Sequence, residues 1–359
     1  MRALLIADDL TGALDSAAAL TGAGLRCVVA RRPQDVPEAL ALAPEVLAVS
    51  TASRDGSAAA ARAAVAAALD AVGPLPEIVL KKVDSRLKGH VAAEVALVAE
   101  RAGHARALVA PAIPAQGRTV VAGALVGTGV AGAIDVAAAV RGSGLTLEVP
   151  DTASDADLDA ALARGGAGRL LVGAAGLAAA LARSLAPGPW SIPRPAIAAP
   201  ILLAIGSHDP ITLAQVGRLA ATGLAAGLEA PDGVCPPLAP GAASLVRLVP
   251  GEGRRFDPQA AGARFAEGIA QVVKNGWVRS LLGCGGETAD AILGALGGGV
   301  LGLEGEVLPG VPVSRILSGG SDLQLVTKSG GFGDEAALVA VVAAAGRAGQ
   351  GRENQARER

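Results

Sequence analysis

The chain has 359 residues, of which 51% are hydrophobic, 1% are aromatic and 49 are glycine. So few rings argue against a protein that binds single-stranded nucleic acids or sugars by stacking on aromatic side chains. The 31 basic and 33 acidic residues leave a formal net charge of -2, so the chain lacks the positive charge that nucleic-acid binding requires.

The sequence also predicts a soluble, cytoplasmic protein that has no membrane partner. Residues 119–134 form the longest uncharged run, which is too short and too rich in glycine to span a bilayer. The N-terminal residues lack the apolar core and the cleavage site of a signal peptide. Cys27, Cys235 and Cys284 are odd in number and far apart, which favours reduced thiols over disulfides or a structural zinc site.

Short apolar runs alternate with alanine-rich stretches of helical length in the first half of the chain. Such runs predict buried strands, and alanine favours helix. The predicted elements are strands Ala3–Ala7, Val46–Ser50, Ile78–Lys81 and Ala107–Ala110, and helices Ala13–Leu20, Ser57–Val72 and Val91–Ala102. The alternation indicates βαβ units and an open, mostly parallel sheet flanked by helices.

A proline-rich segment, residues 185–200, separates this region from a second α/β region. Neither a helix nor a central strand accommodates its prolines, so we interpret the segment as a linker between two domains. Beyond it, the sequence predicts strands Ile201–Ile205 and Val278–Leu282 and helices Ile211–Ala221, Pro258–Asn275 and Thr288–Leu296. The predicted fold class is therefore α/β, with two domains that each contain an open, mostly parallel sheet. Their predicted extents are residues 1–190 and 191–348, followed by a disordered polar tail at residues 349–359.

Four polar loops follow the predicted strands of the first half, at residues 8–12, 51–55, 83–89 and 114–119. Ligands bind at the carboxyl ends of parallel strands, so we expect these loops to meet at one edge of the sheet. Their carboxylates, cations and hydroxyls suit a small polyhydroxylated anion. Each loop also has a purely structural interpretation. Asp8 and Asp9 would then cap a helix, and the surface would carry the charges of Lys81, Lys82, Arg86, Lys88 and Arg118.

Three glycine-rich turns follow predicted strands of the second half, at residues 204–209, 282–288 and 328–333. Glycine turns before helices let backbone N–H groups approach phosphate oxygens, so these turns predict a nucleotide site. No Walker A sequence is present, and any one of these turns, such as that of Gly283, could instead serve helix–strand packing. The three histidines and three cysteines show no metal-ligand spacing, so the sequence predicts no protein-held metal site.

Seven ordered motifs along most of the chain resemble those of the four-carbon acid sugar kinase family. They are IADDLTGALD (6–15), TASR (51–54), KKVDSRLKG (81–89), PAIPAQGRT (111–119), GSHDPITLAQ (206–215), GGET (285–288) and KSGGFG (328–333). Members of this family phosphorylate threonate, erythronate or 3-oxo-tetronate with ATP. The resemblance implies an N-terminal acid-sugar-binding domain and a C-terminal nucleotide-binding domain, with the active site in the cleft between them.

The resemblance also assigns site residues. It implies substrate contacts at Asp8, Asp9, Thr11, Gly12, Ser53, Arg54, Lys82, Asp84 and Ser85, and nucleotide contacts at Ser207, Gly285, Gly286, Glu287, Thr288 and Gly330. The chain departs from the usual family motifs at Arg86, Lys88, His90 and Asp209, and it is shorter than most members. These departures concern the identity of the substrate, because lysine offers a point charge where arginine offers a two-pronged donor.

We therefore expect phosphoryl transfer from ATP to the terminal hydroxyl of a four-carbon sugar acid. Arg54, Lys82 and Lys88 would hold the carboxylate of the substrate, and Asp9 or Asp84 would accept the proton of the hydroxyl; the sequence does not choose between them. The glycine turns, together with Mg²⁺ carried by the nucleotide, would hold the phosphates.

Two other functions fit the same residues. A sugar-acid sensor with a degenerate nucleotide domain would bind both ligands without turnover. A phosphatase of the haloacid dehalogenase type would use an aspartate after the first strand, but its loop needs two aspartates separated by one residue, and Asp8 and Asp9 are adjacent. The small apolar residues are compatible with a homodimer without indicating one.

Overall fold

A computed structural model describes residues 1–164, 168–186, 188–252, 256–319 and 322–346 of the chain. The chain divides into two compact units, Met1–Ile192 and Pro193–Arg359. This division lies within the proline-rich segment in which the sequence predicts a linker. The predicted disordered tail at residues 349–359 lies outside the described residues.

The first unit alternates strands and helices. Its elements are β1 (Ala3–Ala7), α1 (Leu10–Thr21), β2 (Cys27–Ala30), α2 (Val36–Ala41), β3 (Val46–Ser50), α3 (Ala58–Val72), β4 (Ile78–Lys82), α4 (Val91–Ala102), β5 (Arg106–Ala110), β6 (Arg118–Val121), β7 (Ala124–Gly127), β8 (Ile134–Asp135), α5 (Val136–Ala139), β9 (Thr146–Glu148), α6 (Asp155–Arg164), β10 (Leu170–Gly173) and α7 (Ala175–Leu185).

The main sheet of this unit is parallel and has the order β2-β3-β1-β4-β10-β5-β9. All five residues of β1 are buried, as expected for a central strand covered on both faces. Ala7, at the end of β1, is aligned with Ser50 of β3 and Lys82 of β4. The loops after these three strands therefore start at the same level of the sheet, which confirms the expected meeting of the first three polar loops.

A small antiparallel sheet of β6, β7 and β8 is a feature that the sequence pattern does not predict. Because of it, Arg118 and Thr119 lie in a strand, and their prediction as loop residues is wrong. The turn between β6 and β7 consists of Ala122 and Gly123, which both have positive φ angles of 50° and 74°. Two positive φ angles are typical of a tight hairpin turn. Alanine is an unusual residue in such a turn, so the sequence does not predict the hairpin.

The second unit is also α/β. Its elements are β11 (Ile201–Ile205), α8 (Pro210–Thr222), β12 (Ala226–Pro231), β13 (Ala243–Val249), α9 (Pro258–Lys274), β14 (Ser280–Cys284), α10 (Gly286–Leu296), β15 (Val300–Leu308), β16 (Val311–Ile316) and β17 (Gln324–Lys328). Residues 337–346 are helical as well.

Strands of this unit pair in the order β12-β13-β11-β14-β17-β16-β15. The pairs from β12 to β17 are parallel, whereas β16 pairs antiparallel with both β17 and β15. Cys284, at the end of β14, is aligned with Ile205 of β11 and Lys328 of β17. The three glycine turns therefore leave the sheet at one level. An α/β fold with mostly parallel sheets is confirmed.

Local hydrogen bonds explain where the predicted boundaries differ from the observed ones. Helix α1 begins at Leu10, before the predicted Ala13, because the carboxylate of Asp9 caps it. Strand β14 begins two residues after the predicted Val278, because the backbone N–H groups of Arg279 and Ser280 both donate to Pro200 at the start of the β11 pairing. Among the described residues, none of the helices combines the length and the apolar character that a membrane span needs.

Candidate active site

Two carboxylates and one guanidinium form the centre of the polar cluster in the first unit. Arg54, from the loop after β3, donates from Nε to Asp8 Oδ2 at 2.8 Å and from Nη2 to Asp8 Oδ1 at 3.0 Å. Its Nη1 donates to Asp9 Oδ2 at 2.9 Å and lies 3.9 Å from Asp84 Oδ2. Arg54 therefore joins the loops after β1, β3 and β4, which the sequence predicts to meet.

Asp9 connects this cluster to the start of α1. Its Oδ1 accepts a hydrogen bond from the N–H of Gly12 at 2.9 Å, and its Oδ2 accepts one from the hydroxyl of Thr11 at 2.7 Å. The helix-capping interpretation of Asp9 is thus correct.

Gly12 lets Lys82 approach the helix. A methyl group at Gly12 would lie 2.7 Å from Nζ of Lys82 and 2.5 Å from Oδ1 of Asp9. Lys82 is buried, and its ammonium donates to the carbonyl oxygen of Val83 at 3.0 Å. The absence of a side chain at Gly12 therefore makes room for a cation beside two aspartates.

The loop after β4 supplies a third carboxylate. Asp84 Oδ1 accepts the N–H of Arg86 at 2.9 Å, which shapes the turn. Ser85 accepts a hydrogen bond from Nη1 of Arg118 at 2.7 Å, so the β6 strand also reaches this cluster. Lys88 is exposed, and His90 contacts the carbonyl oxygen of Gly56 through Nε2 at 2.6 Å.

A buried ion pair lies behind the loop after β3. Lys81 and Glu94, whose side chains are 0% and 2% exposed, are joined by a 2.7 Å contact between Nζ and Oε2. The other oxygen of Glu94 accepts the hydroxyl of Ser53 at 2.6 Å, and Ser53 Oγ lies 2.7 Å from the hydroxyl of Thr51. Glu94 therefore fixes the position of Ser53, a predicted substrate residue.

The pKa values in this cluster reflect burial and charge. Burial opposes the ionisation of Asp8, but the Arg54 hydrogen bond and the charges of Lys81, Arg54 and Lys82 outweigh it and lower its pKa. Burial is dominant at Asp15, within α1, and raises its pKa to about 6 despite the charge of Lys82. The Asp8–Arg54 pair therefore stays charged at neutral pH, whereas Asp15 titrates just below it.

In the second unit, the turns after β11, β14 and β17 pack tightly together. A methyl group at Gly206 would collide with Thr288, and one at Gly330 would collide with Ser207. Gly285 has a φ angle of 105°, which favours glycine, and its N–H donates to the carbonyl oxygen of Lys328 at 2.9 Å. Gly206 and Gly330 are thus required because neighbouring side chains leave no room for a methyl group, and Gly285 is favoured by its φ angle.

The remaining predicted nucleotide residues lie around these turns. Gly286, Glu287 and Thr288 form the first turn of α10, where Glu287 is exposed. Gly283 lies in β14, where a methyl group would lie 2.9 Å from Cβ of Ala289, so its place matches the packing interpretation. Asp209, one of the departures from the family motifs, caps α8 by accepting the N–H of Ile211 at 2.9 Å.

Several polar residues of these clusters were missed from the predicted site. Glu94, Thr212 and Gln215 lie on helices, and Lys328 lies at the end of β17. Burial lowers the pKa of Lys328, and burial also raises the pKa of the neighbouring Cys284 thiol. A signal existed for three of the four, because Thr212, Gln215 and Lys328 belong to the quoted motifs; Glu94 has none.

Family models match both parts of the chain. A sugar-binding N-terminal domain matches residues 3–133, and a nucleotide-binding C-terminal domain matches residues 251–338. These matches cover the cluster around Arg54 and two of the three glycine turns.

The chain is similar to curated kinases over nearly its full length. A D-threonate kinase from Cupriavidus necator is 34% identical, with 93% of this chain and 96% of the relative covered. A 3-oxo-tetronate kinase from Methylobacterium radiotolerans is 30% identical, with 91% and 95% covered. A solved Salmonella typhimurium structure shares the fold, with a TM-score of 0.74, 19% identity and 94% and 98% of the two chains covered. The chain therefore belongs to the four-carbon acid sugar kinase family.

Proposed function

We propose that this protein is an ATP-dependent kinase that phosphorylates the terminal hydroxyl of a four-carbon sugar acid of the threonate, erythronate or 3-oxo-tetronate type. The observation that carries the proposal is the meeting of Asp8, Asp9, Arg54 and Asp84 at the carboxyl ends of β1, β3 and β4. Such a cluster offers carboxylates to sugar hydroxyls and cations to a substrate carboxylate. The names of the related kinases support the same substrate class.

The contacts favour a division of roles among the cations. Arg54 already donates from Nε, Nη1 and Nη2 to Asp8 and Asp9, so it holds these carboxylates in place. Lys82 and Lys88 are then the cations of this cluster that would receive the substrate carboxylate. Asp8, Thr11, Gly12, Ser53 and Ser85 would bind or shape the space for its hydroxyls.

Of the two aspartates proposed as the base, Asp84 has the less occupied oxygen. Asp9 Oδ2 accepts from Thr11 and from Arg54, whereas Asp84 Oδ2 has Arg54 only at 3.9 Å. An oxygen that accepts a substrate proton needs a lone pair facing the substrate, which favours Asp84. Asp84→Asn should lower kcat far more than Asp9→Asn does. Full turnover in both variants would refute the assignment of either residue as the base.

We also propose that Ser207, Gly285, Gly286, Glu287, Thr288 and Gly330 bind the nucleotide. Neutralisation of phosphate charge is the main requirement of phosphoryl transfer, and Mg²⁺ bound by phosphates usually takes only one or two protein carboxylates. Asp209 could supply such a carboxylate, because its Oδ2 lies beside the glycine turn. A methyl group at Gly331 would lie 3.4 Å from this oxygen. When bound, the ion would neutralise phosphate charge.

A coupled assay of ADP release tests the proposed activity. The purified protein is given ATP, Mg²⁺ and, in turn, D- and L-threonate, D- and L-erythronate and their 3-oxo analogues. We expect ADP with at least one of these acids. ATP binding without ADP release would indicate a sensor, and phosphate release without ATP would indicate a phosphatase; either result refutes the kinase.

We further propose that the enzyme works in the cytoplasm, which the free thiols of Cys27, Cys235 and Cys284 support. A homodimer remains a prediction, and light scattering coupled to size-exclusion chromatography would determine the oligomeric state.

A further inference from the structure

Two buried side chains of α8 form hydrogen bonds to the loop after β17, residues 329–334. Thr212 and Gln215 lie three residues apart on one face of that helix, and both are 0% exposed. The hydroxyl of Thr212 donates to the carbonyl oxygen of Gly330 at 2.7 Å. The amide Nε2 of Gln215 donates to the carbonyl oxygens of Phe332 and Asp334 at 2.9 and 2.8 Å.

Lys328 binds the same loop from the end of β17. Its ammonium donates to the carbonyl oxygens of Ser329 at 3.0 Å and Gly330 at 3.2 Å. Carbonyl oxygens of four loop residues, Ser329, Gly330, Phe332 and Asp334, are thus bound by buried donors. For the N–H groups of Gly330 and Gly331, in contrast, the described residues provide no acceptor.

The side-chain amide of Gln215 uses its donor for the loop and leaves its acceptor without a hydrogen bond in the described part of the chain. Its Oε1 is buried and lacks a partner among the described residues. Rotating the amide by half a turn would not help, because Oε1 would then face the carbonyl oxygens of Phe332 and Asp334. The two donated bonds therefore fix the amide, and one acceptor is left unsatisfied, which buried polar atoms normally avoid.

We infer that Thr212 and Gln215 are positioning residues that hold the carbonyl groups of residues 329–334, so that the N–H groups of Gly330 and Gly331 bind the phosphates of ATP. This inference rests on the proposed function. Consecutive free N–H groups form an anion-binding concavity, and the carbonyl groups of the same loop must be held away from it. The nearby carboxylate of Asp209 would face the Mg²⁺ that accompanies the phosphates.

Kinetics of matched variants test this inference. Thr212→Val removes the hydroxyl while keeping the shape, and Thr212→Ser keeps the hydroxyl. Gln215→Glu replaces the donating amide by a carboxylate of the same size. We expect Thr212→Val and Gln215→Glu to raise the KM for ATP by about 10-fold or more, while the KM for the sugar acid changes less than about 2-fold. Thr212→Ser should restore most of the ATP affinity, and Gln271→Glu, on the exposed side of α9, should behave as wild type.

A measurement on the unaltered protein covers the case in which a variant does not fold. In an amide NMR spectrum, ATP should shift the N–H resonances of Gly330 and Gly331. Unchanged resonances in a protein that binds ATP, or folded variants with wild-type KM for ATP, would overturn the inference and leave the kinase proposal standing. ATP binding with these effects but without turnover on any acid would refute only the kinase proposal. A protein that binds no ATP would overturn both.

Discussion

A methyl group at Gly12 would collide with two side chains of the proposed sugar-acid site. It would lie 2.5 Å from Oδ1 of Asp9 and 2.7 Å from Nζ of Lys82. Gly12→Ala should therefore displace Lys82 and lower kcat/KM for the sugar acid by about 100-fold, as misplaced binding groups do. The free energy of unfolding should change little, because the cost of the collision is offset by the preference of a helix for alanine over glycine, about 1 kcal/mol.

The control for this variant is Gly262→Ala in α9, where a methyl group would meet nothing within 4 Å. It should leave kcat/KM unchanged and raise the melting temperature. Wild-type kcat/KM in Gly12→Ala would show that Lys82 is not needed at its observed position.

The Lys81–Glu94 pair is the buried charge pair whose loss should cost most stability. Glu94→Gln leaves the ammonium of Lys81 without its carboxylate in a fully buried place. Removing one partner of a buried ion pair typically costs about 3–5 kcal/mol. Urea unfolding should show a loss of this size, and Glu100→Gln, on the exposed part of α4, should show almost none. A loss below about 1 kcal/mol would mean that the pair contributes little.

Asp15 should make stability depend on pH between about 4 and 6. Its pKa is raised from 3.8 to about 6 because burial disfavours the carboxylate. The folded state therefore holds the proton more tightly than the unfolded state, and its stability falls as pH rises through this range. Asp15→Asn removes that loss and should gain up to about 3 kcal/mol relative to wild type at pH 8, but little at pH 4. Thermal melts at both pH values measure the difference, and an equal gain at both would exclude titration of Asp15 as the cause.

At the scale of secondary structure, some of the apolar runs that form fully buried strands were predictable. Strands β1, β3 and β11 have the predicted bounds, and every residue in each of them is buried. Burial alone was not sufficient, because β2 and β10 are also fully buried and were not predicted. The strands of the β6–β8 sheet and β15 were missed as well, since half-buried strands carry mixed residues. Periodicity alone does not reveal such strands.

The candidate site likewise contains residues that the sequence predicts and residues that it does not. Asp8, Arg54 and Asp84 were predictable because parallel strands bring the loops at their ends together. Glu94 was not, since it meets its loop only through the packing of a helix against the sheet. Gln215 belongs to a quoted motif, but the motif does not reveal which loop its side chain contacts. Sequence spacing carries no record of those contacts, which join residues 41 and more than 100 positions apart.

The hairpin turn between β6 and β7 carries a correctable strain. Ala122 has a φ angle of 50°, a conformation that costs an alanine roughly 1 kcal/mol and that asparagine tolerates better. Ala122→Asn should therefore raise the melting temperature by a few degrees. Ala60→Asn, at an exposed position in α3, should lower it instead, because asparagine is a poorer helix former. A decrease in both variants would show that the turn is not strained.

At the scale of the whole molecule, both units are α/β, and each carries its own polar cluster at the carboxyl ends of parallel strands. The small side chains that dominate the composition form the sheets and helices, whereas the charged clusters lie in loops and helix starts. If the two clusters bind different ligands, each ligand should protect the unit that holds its site.

Ligand-induced stabilisation tests this division. A ligand at 100 times its Kd stabilises the folded state by about 2.7 kcal/mol, which should shift the melting temperature by several degrees. We expect D-threonate and ATP with Mg²⁺ each to raise the melting temperature of the wild-type protein. Gly12→Ala should lose most of the shift with the acid and keep that with ATP, whereas Thr212→Val should keep the shift with the acid and lose about half of that with ATP. Loss of both shifts in either variant would mean that the two clusters do not bind their ligands independently.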